Sequence, residues 1–249
     1  MRTWMLFAIT AIVLLPACSW AGEAKMILRD YLNQPWTNEL LTYPFTAAKG
    51  TCEANSVTLT GPRGSVPVQL SDISYWPGTQ WVKTAKLCFI AGLAPLATDT
   101  YSVRYSNKPD ASTPNATDLK VVLGKDQVEI STGQFGARLL LGEQTYPTPV
   151  AASEVPSPVI ALRLADGTWF GGSEMYGPGK LKSYSAKLTD KGPVFARVVV
   201  RYTYENGNTM DLRLQIAAGD NTMRCETQVT QEQSADGVHL LLSRGLPPL

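Results

Sequence analysis

GPVFARVVVRYTYENGNTMDLRLQIAAGDNTMRCETQVT, residues 192–230, reads as three antiparallel strands with very little left over. In the first, Ala196, Val198, Val200 and Tyr202 alternate with Phe195, Arg197, Val199 and Arg201. In the second, Met210, Leu212, Leu214 and Ile216 alternate with Asp211, Arg213 and Gln215. In the third, Met223, Cys225, Thr227 and Val229 alternate with Arg224, Glu226 and Gln228. A period of two with one apolar face is the mark of a half-buried strand. Residues opposed across a ladder point to the same side, so parity fixes the register. A two-residue Asn206-Gly207 loop would set Tyr202 against Asp211 and mix the faces. A three-residue loop, Glu205-Asn206-Gly207, places glycine where a left-handed conformation is needed. It pairs Val200 with Leu212, Tyr202 with Met210 and Arg201 with Asp211. A four-residue loop, Ala218 to Asn221, then pairs Leu214 with Cys225 and Arg213 with Glu226.

Around this meander lies an ordinary globular composition of 249 residues, enough for one large β domain or two smaller ones. A formal charge of +1 and a charged content of 17% leave no basic footprint for nucleic acid. The first residues form an address. Arg2 precedes an apolar run from Met5 to Leu15, with small residues at Ala17, Ser19 and Ala21, the order of a secretory signal over residues 1–21. Ser19-Trp20-Ala21 offers cleavage before Gly22, while Leu15-Pro16-Ala17-Cys18 resembles a lipoprotein box that would lipidate Cys18. Either processing puts the mature chain outside the cytoplasm: periplasmic, extracellular or on the cell surface. No segment reaches the ~20 apolar residues of a membrane-spanning helix.

Residues 26–106 read as a first β-sandwich. Leu41, Tyr43 and Phe45 alternate; Leu59 faces Val66 across Gly61-Pro62-Arg63-Gly64; Ala85, Leu87 and Phe89 alternate with Cys88 on the other face. Pro67 marks an edge or a bulge. Residues 107–118, rich in Pro, Ser, Thr, Asn and Asp, read as a linker. A second antiparallel sandwich then runs over 119–249. Val128 and Ile130 form one alternating set, Ala137, Leu139 and Leu141 another, and Ile160, Leu162 and Leu164 a third. Four prolines make 146–158 an extended loop. Asp166-Gly167 predicts a two-residue hairpin with Trp169 opposite Leu164 on the buried side. Leu240-Leu241-Leu242 and the apolar residues after it give the chain the look of the front portion of a larger protein.

The chemistry is sparse. His239 is the single histidine, sits among leucines with no Gly-x-Ser-x-Gly elbow in the chain, and reads as a structural or surface residue. No phosphate loop, dinucleotide fingerprint or metal spacing is present, so neither cofactor nor metal is expected. Carboxylates for a glycosidase pair exist at Glu129, Glu143, Glu154, Asp166 and Glu174, but nothing pairs any two of them. An oxidising compartment would permit a Cys52–Cys88 disulfide, and Cys225 reads as a buried thiol. Aromatic residues carry the functional hint. Tyr75, Trp76 and Trp81 cluster around Pro77-Gly78, and Phe170, Glu174 and Tyr176 lie in a Gly-rich loop. Such faces stack on sugar rings. Trp36 is expected in the core.

Two resemblances follow from these residues. Leu93-Ala94-Pro95-Leu96 leading into Tyr101, Val103 and Tyr105 resembles the tyrosine-corner end of immunoglobulin and fibronectin type III sandwiches. Gly192-Pro193-Val194-Phe195-Ala196-Arg197, Leu212-Arg213-Leu214 and Glu226-Thr227-Gln228-Val229 resemble the β-sandwich regions of large secreted carbohydrate-active proteins, namely exo-rhamnogalacturonan lyase-like proteins and the non-catalytic sandwich of α-mannosidase-type glycosidases. Pro35-Trp36 and Val66-Pro67-Val68-Gln69-Leu70 resemble their small companion domains. The catalytic residues of those families match nothing in this chain. The expectation is therefore an all-β protein: an immunoglobulin/fibronectin III-like sandwich followed by a larger antiparallel sandwich. It would bind or frame a polysaccharide or other glycan through Tyr75, Trp76, Trp81, Phe170, Glu174 and Tyr176. The alternative is a cell-surface structural or protein-interaction module.

Overall fold

The computed structural model describes residues 22–109, 116–230 and 236–242. The expected leader over residues 1–21 with Cys18, the middle of the expected linker and the residues after Leu242 lie outside the described residues. The chain is all-β, and among the described residues the strands pair antiparallel throughout, with two short 3-10 turns at Ala54–Ser56 and Ala152–Glu154. Among the described residues no helix is long and apolar enough to cross a membrane.

Seven strands make the first sandwich: β1 (Gly22–Arg29), β2 (Trp36–Thr46), β3 (Thr58–Gly61), β4 (Gly64–Val66), β5 (Val68–Tyr75), β6 (Val82–Leu93) and β7 (Thr98–Tyr105). They form sheets of order β1-β7-β3-β4 and β2-β6-β5. Leu59, Tyr101 and Val103 from one sheet meet Phe45, Leu87 and Phe89 from the other in a single core. Leu59 pairs with Val66 as parity demands. Pro67 falls where the chain leaves one sheet edge, β4, for another, β5, so its missing N–H interrupts no ladder.

The second sandwich contains β8 (Lys120–Leu123), β9 (Gln127–Ser131), β10 (Gly136–Leu140), β11 (Gly142–Ala151), β12 (Val159–Arg163), β13 (Trp169–Phe170), β14 (Ser173–Tyr176), β15 (Lys180–Lys191), β16 (Phe195–Tyr204), β17 (Thr209–Ala217), β18 (Arg224–Val229) and β19 (Gly237–Leu240). One sheet runs β13-β12-β10-β9-β8, the other β11-β15-β16-β17-β18, and β14 pairs with β19 alone. The meander is β16-β17-β18 and keeps the expected register: Val200 faces Leu212, Tyr202 faces Met210, Leu214 faces Cys225 and Arg213 faces Glu226. Gly207 adopts φ +86° in the three-residue turn, and Arg201 grips Asp211 through two bonds of 2.7 and 2.6 Å. Ala196, Val198, Val200 and Tyr202 are fully enclosed with Val128, Ile130, Ala137 and Leu139 from the opposite sheet.

Several expectations fail for local physical reasons. The segment 146–158 is not all loop, because β11 continues to Ala151. Its pairing with β15 breaks between Thr145 and Val150, so Pro147 and Pro149 sit in the irregular stretch of an edge strand. In β12 a bulge makes Ile160 the extra residue, which turns Val159 inward and leaves Ile160 exposed; Leu164, at the turn after β12, is exposed as well. The Asp166-Gly167 turn has three residues, not two. The Asp166 carboxylate accepts the Thr168 N–H (2.8 Å), Gly167 takes φ +92°, and Trp169 lands opposite Arg163. Trp169 is consequently only part-buried, its ring stacked under the Arg138 guanidinium at 3.9 Å. Cys225 keeps its register but is exposed, because β18 is an edge strand and none of its six residues is covered. The Cys52–Cys88 bond is not formed: Cys52 lies inside the first core, whereas Cys88 points from the opposite face of β6.

That opposite face joins the sandwiches. Cys88, Leu40 and Ile90 pack against Val194, Phe195 and Ala217. Within this seam the Gln69 side-chain oxygen accepts the N–H groups of Val194 and Phe195 at 3.0 and 3.1 Å. Beside it Arg197 donates to Ser71 (2.6 Å), Asp72 (3.0 Å) and Asp190 (2.7 Å).

Candidate functional site

The aromatic and acidic residues expected to bind ligand fall into two places. At the β5–β6 turn, Trp76 is structural: its indole N–H is donated to the Ala47 carbonyl (3.2 Å), pinning the preceding loop, and its backbone N–H is donated to the Trp81 carbonyl (2.9 Å). Tyr75 is exposed, and part-buried Trp81 lines only a shallow depression with Gly78, Thr79 and Gln80. At β13–β14, Phe170 turns onto the second core. Glu174 and Tyr176 project outward and meet His239 across the β14–β19 ladder. The Glu174 Oε1 to His239 Nδ1 distance is 3.5 Å, and the Tyr176 ring stacks on the imidazole at 3.6 Å. Both partners of that contact are 54% exposed. Among the described residues no hydroxyl or thiol bonds to His239, so the pair lacks the nucleophile and the desolvation that a catalytic triad requires.

Immediately before Glu174 the backbone forms the floor of a deeper cleft. Its volume is about 880 Å3, with walls from the β8–β9 turn (Lys125, Asp126, Gln127), the Pro156–Ile160 approach to β12, the Gly171-Gly172-Ser173 link and Tyr184 of β15. The glycine pair is what allows the floor to exist. Gly171 and Gly172 have φ +65° and +146°, and a Cβ on Gly172 would stand 3.0 Å from the Ile160 carbonyl oxygen. The link is clamped by Ser173, whose hydroxyl bonds both the N–H and the carbonyl of Val159 at 2.9 Å, and by Ser157, which donates to the Ser173 carbonyl at 2.6 Å. Those two serines are thus spent on the scaffold. The remaining polar residues of the lining are Lys125, Asp126, Gln127 and Tyr184. Burial, with the Asp126 charge, pushes the Tyr184 phenol above its ordinary value, so it stays a neutral donor. The cleft offers donors, acceptors and apolar wall together, with no pair of carboxylates converging across it.

Sequence reasoning also misplaced an aromatic residue outside these two places. Trp36, expected in the core, is 39% exposed. Its N–H is donated to Asp30 at 3.1 Å. The signal available was Asp30 itself, an aspartate followed by an Asn33-Gln34-Pro35 turn, which a reading by hydrophobicity passes over.

The chain matches none of the protein-family models, and no curated protein matches it significantly.

Proposed function

We propose that this chain is the exported, carbohydrate-binding or substrate-framing β-sandwich region of a polysaccharide-processing protein, with saccharide held in the cleft between β12, β15 and the β8–β9 turn. The observation that carries the reading is that cleft: about 880 Å3, open, and lined by both polar and apolar residues. A pyranose presents the same mixture, hydroxyls around its rim and C–H groups on its faces, and sites for it need several placed polar groups on a concave wall. Isothermal calorimetry of the mature chain with cellohexaose, xylohexaose and polygalacturonate tests it. Tyr184→Ala and Lys125→Ala are each expected to weaken binding roughly tenfold. A wild-type chain that binds none of the three ends the reading. Export is tested at the N-terminus of the native protein. Cleavage before Gly22 or a diacylglyceryl group on Cys18 fits, and an intact Met1 refutes it.

A second reading, a cell-surface protein-interaction module, rests on β18. All six of its residues are exposed, and it carries none of the prolines that blunt β11 at the other edge of the same sheet. Such an edge accepts an added strand. Sedimentation that stays monomeric at high concentration, and is indifferent to Val229→Lys, removes self-association through that edge.

A further inference from the structure

We infer that the end of the first sandwich carries a second saccharide site, built on the indole of Trp36 and separate from the cleft in the second sandwich. It shares the ligand class of the cleft but none of its residues. The construction begins at Asp30, which is 4% exposed. Its carboxylate accepts four donors: the backbone N–H groups of Leu32 (2.9 Å), Gln34 (3.1 Å) and Leu96 (2.7 Å) and the indole N–H of Trp36 (3.1 Å). Two of these bonds, from Leu32 and Gln34, fold the β1–β2 loop on itself, and the one from Leu96 ties it to the β6–β7 loop. The fourth fixes the orientation of the ring. With its one polar atom satisfied from inside, the indole is left to offer carbon surface to solvent.

Beside the ring lies a hollow of about 600 Å3, lined by Trp36 with Pro35, Asn38, Pro62, Arg63 and Asp99 among others. The prolines make stiff apolar walls, while Arg63 and Asp99 bring a donor and an acceptor to the lining; the Asn38 side-chain amide lies near Gly219 of the second sandwich. The backbone is held in shapes that ordinary residues avoid. Of the four non-glycine residues with positive φ in the described chain, Asn33 (54°), Asn38 (54°) and Leu96 (57°) all lie on the segments that build this end. Conformations of that kind persist where surrounding bonds over-determine them, and they gather at ligand sites. Gly92 completes the packing, since a Cβ there would stand 3.0 Å from the Trp36 carbonyl oxygen. An immobilised indole with a polar rim suits a pyranose, whose C–H face stacks on the ring while its equatorial hydroxyls reach the side groups. A proline-rich peptide fits less well, because its recognition takes a groove between several aromatic ridges, and this hollow has one aromatic residue in its wall.

The test uses the mature chain labelled with 5-fluorotryptophan, the Trp36 resonance being identified by its absence in Trp36→Phe. Titration with cellohexaose, xylohexaose or polygalacturonate is expected to shift that resonance. Trp36→Ala should weaken the associated binding roughly tenfold, and Trp36→Phe, which keeps a stacking face, should retain most of it. Tyr184→Ala, which damages the cleft, should leave the Trp36 response intact. A resonance that no saccharide moves overturns the inference, as does one that responds only to a proline-rich peptide. Loss of the response in Tyr184→Ala overturns the independence of the site. Binding that survives Trp36→Ala unchanged sinks the platform and leaves the cleft standing.

Discussion

Asp30 shows how much one carboxylate can organise. The Leu96 N–H, followed by those of Leu32, Trp36 and Gln34, favours its charged form and holds its pKa down to about 2, against 3.8 for an ordinary aspartate. The folded state therefore binds fewer protons than the unfolded chain between those values. The contribution of Asp30 is complete above pH 3.8 and is lost as the pH falls through about 2. Urea denaturation of wild type and Asp30→Ala should show a constant stability gap at neutral pH that closes across that window. A gap that widens on acidification would contradict the assignment. Tyr202 gives a second check. Its hydroxyl is donated to the Pro156 carbonyl at 2.8 Å from a fully enclosed position. Tyr202→Phe should cost about 1 kcal/mol, read from the shift in denaturation midpoint. The Tyr202 bond has no signature in the sequence, because its partner is a backbone carbonyl 46 residues away, whereas Asp30 meets three of its donors within six residues.

The strands themselves were the most legible part of the sequence. In β16-β17-β18 the face alternation, the charge pairs and Gly207 all demand one register, and it is the register found. Gly207→Val, forcing a branched side chain to φ +86°, should destabilise the chain by about 1 kcal/mol or more. Where a single local signal stood alone, it misled. Asp166-Gly167 reads as a two-residue hairpin, yet the Asp166 side chain captures the Thr168 N–H and widens the turn by one residue. The bulge at Ile160 is likewise invisible, since it adds one residue to an apolar run without changing its composition. Cys225 is the plainest case: correct register, wrong environment. Its exposure predicts that, of the three cysteines in the described chain, only Cys225 reacts with a maleimide in native buffer. Cys52 and Cys88 should join it on unfolding. Three slow thiols in the native state would show that β18 is covered.

At the scale of the molecule the two sandwiches meet through a seam that is small but fully bonded. Gln69→Ala leaves the Val194 and Phe195 N–H groups buried without an acceptor, a loss of about 1–3 kcal/mol. Arg197→Ala strands Asp190, whose side chain is 6% exposed, and should cost about 3 kcal/mol. Calorimetry should show the effect as more than a lower midpoint. If the seam couples the sandwiches, one unfolding transition in the wild type separates into two in the double variant. A single unchanged transition would mean that these bonds do not carry the coupling. The candidate cleft belongs to this scale too. Its walls come from 125–127, 140, 156–160, 171–173 and 184, segments that no local pattern links.

By itself the sequence determined the class of the fold, the leader as an expectation, and the pairing of the central meander. Those properties depend on residues two apart or facing each other across a short turn, and the period of a strand writes them into the order of side chains. Only the tertiary structure decided which aromatic residues meet solvent, which cysteines are covered and where a cavity opens. Each of those depends on what packs over a residue, and that is set by segments distant in the chain. Trp36 and Cys225 were both placed inside by their hydrophobic character, yet both lie at the surface. One is held there by a remote aspartate, and the other stands on an edge strand that nothing in the described chain covers.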